Sequence, residues 1–170
     1  MVGSFNYTPA AGTVLGASAA QTLSVAFTPT DAANYTGTSK TAQIAVLYNT
    51  VVGHQFLQPI NPNLTTGNRS SFKIGSTIPT KFQLFKADGT TAIISAIATI
   101  AIVKLDNNAE TPINEDMITS PADDGINFRV SSGQYIYNLG TKGWTAGTFR
   151  ITATLDDGST ITAIVDGRSK

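Results

Sequence analysis

Two tyrosines and a tryptophan are the residues whose types and spacing could bind a sugar. Tyr135 and Tyr137 are two positions apart, so on a β-strand they face one side and Ile136 faces the other. If Ile136 points into the core, both tyrosines face solvent, and Trp144 is the third aromatic residue that could stack on a sugar. An exposed aromatic surface can stack on the apolar face of a pyranose ring. The alternative is that these side chains pack under a loop or against a neighbouring domain.

Carboxylates accumulate in a long polar connection, residues 106–125, which also contains two prolines. They are Asp106, Glu110, Glu115, Asp116, Asp123 and Asp124. Calcium prefers oxygen ligands and often takes them from such loops, but no EF-hand or nonapeptide spacing is present. The connection is interpreted as a solvated loop with a calcium site as the alternative, and no other cofactor is predicted.

One lysine and the single histidine are the remaining candidates for covalent chemistry. On an alternating strand Lys81 points outward and Phe82 inward, so Lys81 is interpreted as a surface residue that guards a sheet edge. An intramolecular Lys–Asn isopeptide bond is the alternative. His54 directly follows the linker between the two units, and no G-x-S-x-G motif is present. Since the chain also lacks cysteine, we expect no enzymatic activity.

The composition excludes several classes of partner. Among 170 residues, 11 basic and 11 acidic side chains balance to zero net charge, and charged residues make up only 13%. A nucleic-acid binder would normally carry a basic excess. No apolar run is long enough to span a bilayer, and the first residues lack the pattern of a signal peptide. Low charge with abundant Thr, Ser, Gly and Asn is typical of extracellular β-rich modules, so we expect an extracellular or cell-surface location.

Alternation of apolar and polar residues recurs along the chain and predicts half-buried strands. Its clearest instances are residues 23–28, 78–84, 149–155 and 160–165. Turn signals separate them, among them Asp157-Gly158. The isoleucine-rich segment 92–105 also fits a helical face, but its β-branched residues and its lack of a capping box favour a strand. Many short strands joined by turns predict an all-β fold.

A domain boundary is predicted just after the strand that ends at Leu47, because a proline- and asparagine-rich loop follows. The first unit then covers residues 1–48, the linker 49–53 and the second unit 54–170. About 48 residues are few for a cystine-free β-sandwich. The chain is therefore predicted to form two tandem Ig-like β-sandwich units, of which the first is incomplete.

Asp31 and Tyr35 have the D-x-A-x-Y spacing of a tyrosine corner, in which a buried tyrosine directs its hydroxyl back to the backbone. Nearby stand FNYTPAAGTVL at 5–15 and QTLSVAFTPTD at 21–31. With these blocks the first unit resembles the bacterial Ig-like repeats of secreted and cell-surface proteins. Such repeats usually begin with one or two further strands that this sequence lacks, so we expect a piece of a longer protein.

Four blocks in the second unit occur in a characteristic order. They are FLQPIN at 56–61, FKIGSTIPTKFQL at 72–84, QYIYN at 134–138 and LDDG at 155–158. Through these blocks, and through the spacing Pro79-x-Lys81-Phe82, residues 54–170 resemble the PxKF domain of bacterial extracellular proteins. Because that family has no assigned catalytic activity, the resemblance implies a structural, spacer or adhesion module.

The alternative function is a carbohydrate-binding accessory module of an extracellular enzyme, for which polysaccharide would be the ligand. The expected partners are otherwise neighbouring domains of a longer chain, or a second copy that pairs through an open sheet edge. We expect neither nucleic-acid binding nor membrane insertion.

Overall fold

The structure, a computed structural model, describes residues 2–50, 52–62, 69–106, 109–113 and 125–169. The chain divides into two compact units, Met1–Leu47 (unit 1) and Tyr48–Lys170 (unit 2). Regular structure in the described residues consists of β-strands. These are β1 (Gly3–Thr8), β2 (Ser18–Pro29), β3 (Thr38–Val46), β4 (Ser70–Lys73), β5 (Thr77–Phe82), β6 (Ala98–Asp106), β7 (Ala109–Ile113), β8 (Arg129–Ser131), β9 (Gln134–Gly140), β10 (Gly147–Leu155) and β11 (Thr160–Arg168).

Unit 1 is one antiparallel sheet in the order β1-β2-β3. Phe5 lies opposite Phe27, and Tyr7 lies opposite Val25, so the apolar side chains of β1 and β2 share one face. Among the described residues of this unit only Pro29 is buried. A sheet normally buries one apolar face against a second layer, and that second layer is not among the described residues of unit 1.

Unit 2 is a two-layer sandwich. One sheet has the order β4-β11-β10-β6-β7 and the other β5-β9-β8. The first strand, β4, pairs in parallel with the last strand, β11, whereas the other pairings are antiparallel. This order is that of an immunoglobulin-like sandwich with an added strand on the larger sheet. The predicted all-β fold is therefore confirmed.

The core of unit 2 lies between its two sheets and follows the period of two. On the smaller sheet Ile78 and Phe82 of β5 face inward beside Leu139 of β9, and each is at most 1% exposed. On the larger sheet the inward residues include Phe149 and Ile151 of β10. Threonines alternate with them on the solvent side, which is why a chain with few charges still has a polar surface. The described residues include no helix with the length and hydropathy needed to cross a bilayer.

The segment predicted as a strand over residues 92–105 is a strand only from Ala98 onward. Ile100 and Ile102 are buried on its inner face, whereas Ile94 and Ile97, which precede the strand, are 60% and 66% exposed. Isoleucine content therefore predicted the strand but overestimated its length, because residues before Ala98 make loop contacts instead of a continuous ladder. One of these contacts is the hydrogen bond from Ile93 N–H to the Leu84 carbonyl, 2.8 Å.

Candidate functional site

The aromatic platform predicted for sugar binding is part of the core. Tyr135, Tyr137 and Trp144 are 0%, 1% and 8% exposed, and half-buried Ile136 takes the outward position on β9. Alternation placed the two tyrosines correctly on one face but did not reveal which face is inside. Of the two interpretations, the one in which these rings face solvent is contradicted, because the ring of Tyr135 stacks at 4.7 Å, nearly parallel, on the core ring of Phe82.

The buried tyrosines keep their hydroxyl groups satisfied, which is what permits them to lie inside. The Tyr135 hydroxyl accepts a hydrogen bond from Ala96 N–H and donates one to the Ile93 carbonyl, each 3.0 Å long. The Tyr137 hydroxyl donates to the Gly125 carbonyl at 3.2 Å. These bonds tie the loops around the sandwich to β9, so the polar atoms of both tyrosines serve the fold.

The Pro79-x-Lys81-Phe82 motif lies on β5, at the edge of the smaller sheet. Phe82 is fully buried, and Lys81 is half-buried on the opposite face, as alternation predicted. The edge is partly covered, because Leu57 N–H donates to the Lys81 carbonyl at 2.7 Å and Phe56 forms a β-bridge with Phe82. That Lys81 guards the edge stays a prediction.

The predicted tyrosine corner of unit 1 is not built as expected, because the side chain of Tyr35 is 51% exposed. A tight turn forms in its place. The Asp31 carboxylate accepts hydrogen bonds from Asn34 N–H at 3.2 Å and from Asn34 Nδ2 at 2.9 Å. The Asn34 side chain is the main cause that lowers the pKa of Asp31. Within the described residues of unit 1 there is one sheet, and these residues supply no second layer in which the Tyr35 ring could be buried.

A buried polar cluster in unit 2 centres on the predicted Asp157-Gly158 turn, but its long-range partners were not predicted from the sequence. We name it the Asp157 anchor: Tyr48, His54, Asp157 and Ser159. Asp157 and Gly158 form the turn between β10 and β11, and Asp157 is only 1% exposed. Its carboxylate accepts hydrogen bonds from Tyr48 N–H at 2.6 Å, Ser159 N–H at 2.8 Å and the Ser159 hydroxyl at 2.6 Å. The anchor joins the first residue of unit 2 to its last hairpin.

Electrostatics keep the Asp157 carboxylate charged although it is buried. Burial by itself raises the pKa of Asp157, but the hydrogen bonds from Ser159 and Tyr48 outweigh it, and the pKa lies below its ordinary value. The pKa of the Tyr48 hydroxyl moves far upward, mainly through burial and then through a hydrogen bond with Asp156. Both groups therefore hold one protonation state throughout the neutral pH range.

Serine, histidine and aspartate meet in this anchor, but their arrangement is not that of a catalytic triad. In a triad the carboxylate orients the histidine, and the histidine accepts the serine proton. Here the Ser159 hydroxyl donates to Asp157 at 2.6 Å, while His54 Nε2 is 3.4 Å from the serine oxygen. The proton of Ser159 is thus held by the carboxylate, and the arrangement fastens a turn.

The acidic connection lies mostly outside the described residues, which hold only part of the proposed calcium ligand set. Glu110 is described, and its carboxylate forms two 2.7 Å hydrogen bonds with the guanidinium group of Arg150. In the described part of the chain no group of three or more histidine, aspartate or glutamate side chains could hold a metal ion. The calcium alternative therefore stays a prediction.

Comparisons with known proteins add a fold likeness but no family. No family model matches the chain, and no curated protein matches it. A solved structure that resembles it is described as the crystal structure of the RIG-5 IG1 homodimer, with 10% sequence identity and a TM-score of 0.30, covering 68% of this chain and 96% of that chain. Because a likeness this slight carries no functional argument, the resemblances to the PxKF domain and to bacterial Ig-like repeats stay predictions.

Proposed function

We propose that the protein is a non-catalytic structural module, a spacer or adhesion unit of a secreted or cell-surface bacterial protein. The observation that carries this proposal is the way in which unit 2 connects its two ends. Its first strand, β4, and its last strand, β11, run parallel and side by side, with Ser70 opposite Val165 and Lys73 opposite Arg168.

Parallel end strands matter for a spacer because of the direction in which a tether pulls. Tension applied at the two ends of unit 2 slides β4 and β11 past each other, so all their hydrogen bonds share the load. The bonds of a parallel pair are evenly spaced along the strands. An antiparallel end hairpin, by contrast, would open one bond at a time.

The Asp157 anchor would bear the same tension as the β4–β11 pair. Tension from the N-terminal side reaches Tyr48 before it reaches β4, and Tyr48 N–H is bonded to the Asp157 carboxylate at 2.6 Å. A hydrogen bond to a buried charged acceptor is among the stronger ones in a protein. Further along, Leu57 N–H is bonded to the Lys81 carbonyl at 2.7 Å. The segment that enters the sandwich is therefore held at two points before the parallel pair begins.

Single-molecule force spectroscopy of the full chain, held by its two ends, tests the spacer proposal. We expect one high-force event for unit 2, and we expect Asp157→Ala to lower that force. Asp88→Ala is the matched control, since Asp88 accepts comparable bonds from Thr90 and Thr91 in an exposed turn between β5 and β6. Unfolding of unit 2 at low force, without sensitivity to Asp157, would contradict the proposal.

The carbohydrate-binding alternative loses the observation that motivated it, because its three aromatic residues are buried. A pull-down of the chain on insoluble polysaccharides tests what remains of it. We expect the chain to stay in the supernatant, and retention that a soluble glycan competes away would restore the alternative.

A further inference from the structure

The proline of the Pro79-x-Lys81-Phe82 motif has no part in the spacer proposal. Pro79 lies within β5, at the edge of the smaller sheet, and its side chain is exposed. Along a paired strand, successive residues direct their backbone N–H and C=O groups to opposite sides. The Lys81 carbonyl accepts its bond from Leu57 N–H on the side away from β9. The backbone groups of Thr77 and Pro79 therefore face that same free side.

Part of this free side is covered by residues 55–60, which we name the entry strap. The strap pairs with β5 through the Phe56–Phe82 bridge, and the same register would set Pro59 opposite Pro79. Neither proline has an N–H, so the ladder cannot continue to that pair. A turn hydrogen bond of 3.1 Å follows instead, and the strap leaves the edge. Within the described residues, the strap thus covers the C-terminal half of the β5 edge and leaves the N-terminal half open.

The other edge strands of the two sheets in unit 2 are poorly suited to pairing. β4 and β8 have only four and three residues. β7 has five residues, and one of them is Pro112. Short edge strands and prolines are means by which native sheets avoid adding strands from other molecules. With six residues, β5 is the longest of these edge strands, so its edge is the one that most needs such protection.

The strand most able to pair with the open half of this edge is β5 of a second copy. A two-fold antiparallel pairing centred on Ile78 sets Thr77 of each copy opposite residue 79 of the other. Two residues paired in this way exchange two hydrogen bonds, and each residue donates one of them. Thr77 has an N–H to donate, but Pro79 has none. Proline at this position therefore removes half of the hydrogen bonds on which the pairing depends.

We propose that Pro79 closes the open half of the β5 edge against strand addition by a second copy of the chain. The three residues of the motif then act in three directions. Phe82 fills the core, Lys81 lies on the outer face, and Pro79 withholds a donor from the edge. The entry strap protects the remaining half of the same edge. This role concerns association between copies, so it does not depend on whether unit 2 bears tension.

Sedimentation velocity of the full chain between ~1 µM and ~500 µM tests the proposal. Pro79→Val restores an N–H at the edge. Thr77→Val is the matched control, because it adds the same side chain to the same exposed face two residues away and changes no donor. We expect Pro79→Val to self-associate with a dissociation constant roughly tenfold or more below those of wild type and Thr77→Val, since the two-fold pairing regains two hydrogen bonds. Equal association of the two variants overturns the proposal.

Hydrogen exchange of the amide at position 79 gives a second readout in Pro79→Val. In the dilute monomer we expect this new N–H to exchange as fast as an unstructured amide, because it faces solvent. At the highest concentration of the sedimentation series we expect it to become protected. Fast exchange at every concentration overturns the proposal. Protection already in the monomer, or loss of the native Trp144 fluorescence, also overturns it, because Pro79 would then act within the fold and not at its edge.

Discussion

Replacing Asp157 by alanine gives the sharpest test of how unit 2 is held together. The carboxylate is 1% exposed and accepts three hydrogen bonds, one from Tyr48 and two from Ser159. A hydrogen bond to a charged group contributes about 1.5–3 kcal/mol, and an unsatisfied buried donor is costly. At the lower figure, and with one donor satisfied again by water, Asp157→Ala lowers the free energy of unfolding by about 3 kcal/mol.

The assay is urea unfolding followed by the fluorescence of Trp144, which lies in the core of unit 2. A loss of this size is a large part of the 5–15 kcal/mol that typically stabilises a small protein. The urea concentration at the midpoint of unfolding therefore falls measurably. Asp88→Ala serves as the control. Asp88 also accepts three hydrogen bonds, from Thr90 and Thr91, but it lies in an exposed turn where water can replace it. We expect a clearly smaller loss there.

The difference in unfolding free energy between wild type and Asp157→Ala changes with pH in a direction that the pKa of Asp157 determines. Hydrogen bonds lower the pKa of Asp157 in the folded protein below its value in the unfolded chain, about 3.9. The stabilisation is therefore complete well above pH ~4 and is lost as the pH falls through the folded pKa. The gap in stability between wild type and Asp157→Ala narrows over that acidic range. If Asp157→Ala and Asp88→Ala lower the free energy of unfolding equally at neutral pH, burial of the Asp157 carboxylate does not make its hydrogen bonds stronger, and the argument is refuted.

Three further predictions concern other contacts in unit 2. Tyr135→Phe keeps the ring but removes the hydroxyl that bonds two backbone groups, Ile93 C=O and Ala96 N–H, of the loop before β6, and it lowers the free energy of unfolding by about 1–2 kcal/mol in the same assay; an unchanged midpoint contradicts this. Gly53→Ala is destabilising by at least ~1 kcal/mol in thermal unfolding, because φ is +79° and a Cβ would lie 2.6 Å from the Phe85 ring; a neutral result would mean that this loop relaxes freely. Arg150→Ala causes only a small loss, which vanishes at high salt because its bond to Glu110 is exposed; a loss that salt does not reduce argues against a surface ion pair.

Several features were predictable from sequence because they depend on neighbours along the chain. The period of two identified β5, β10 and β11, and β-branched residues favoured a strand within 92–105. Phe82 pointed inward and Lys81 outward as expected. The length of the first unit suggested that it could not form a sandwich alone. Each of these is a local property of a pleated strand or a count of residues.

What the sequence alone determined was the set of residues that share a face; only the tertiary structure decided which face is inside. Alternation grouped Tyr135 with Tyr137, but the packing of β9 against Phe82 buried them and removed the sugar platform. The anchor joins Tyr48 to Asp157 across 109 positions, a separation at which no local pattern carries information. Burial depends on what packs opposite, and in unit 1, where no described layer packs opposite, the same alternation leaves the rings exposed.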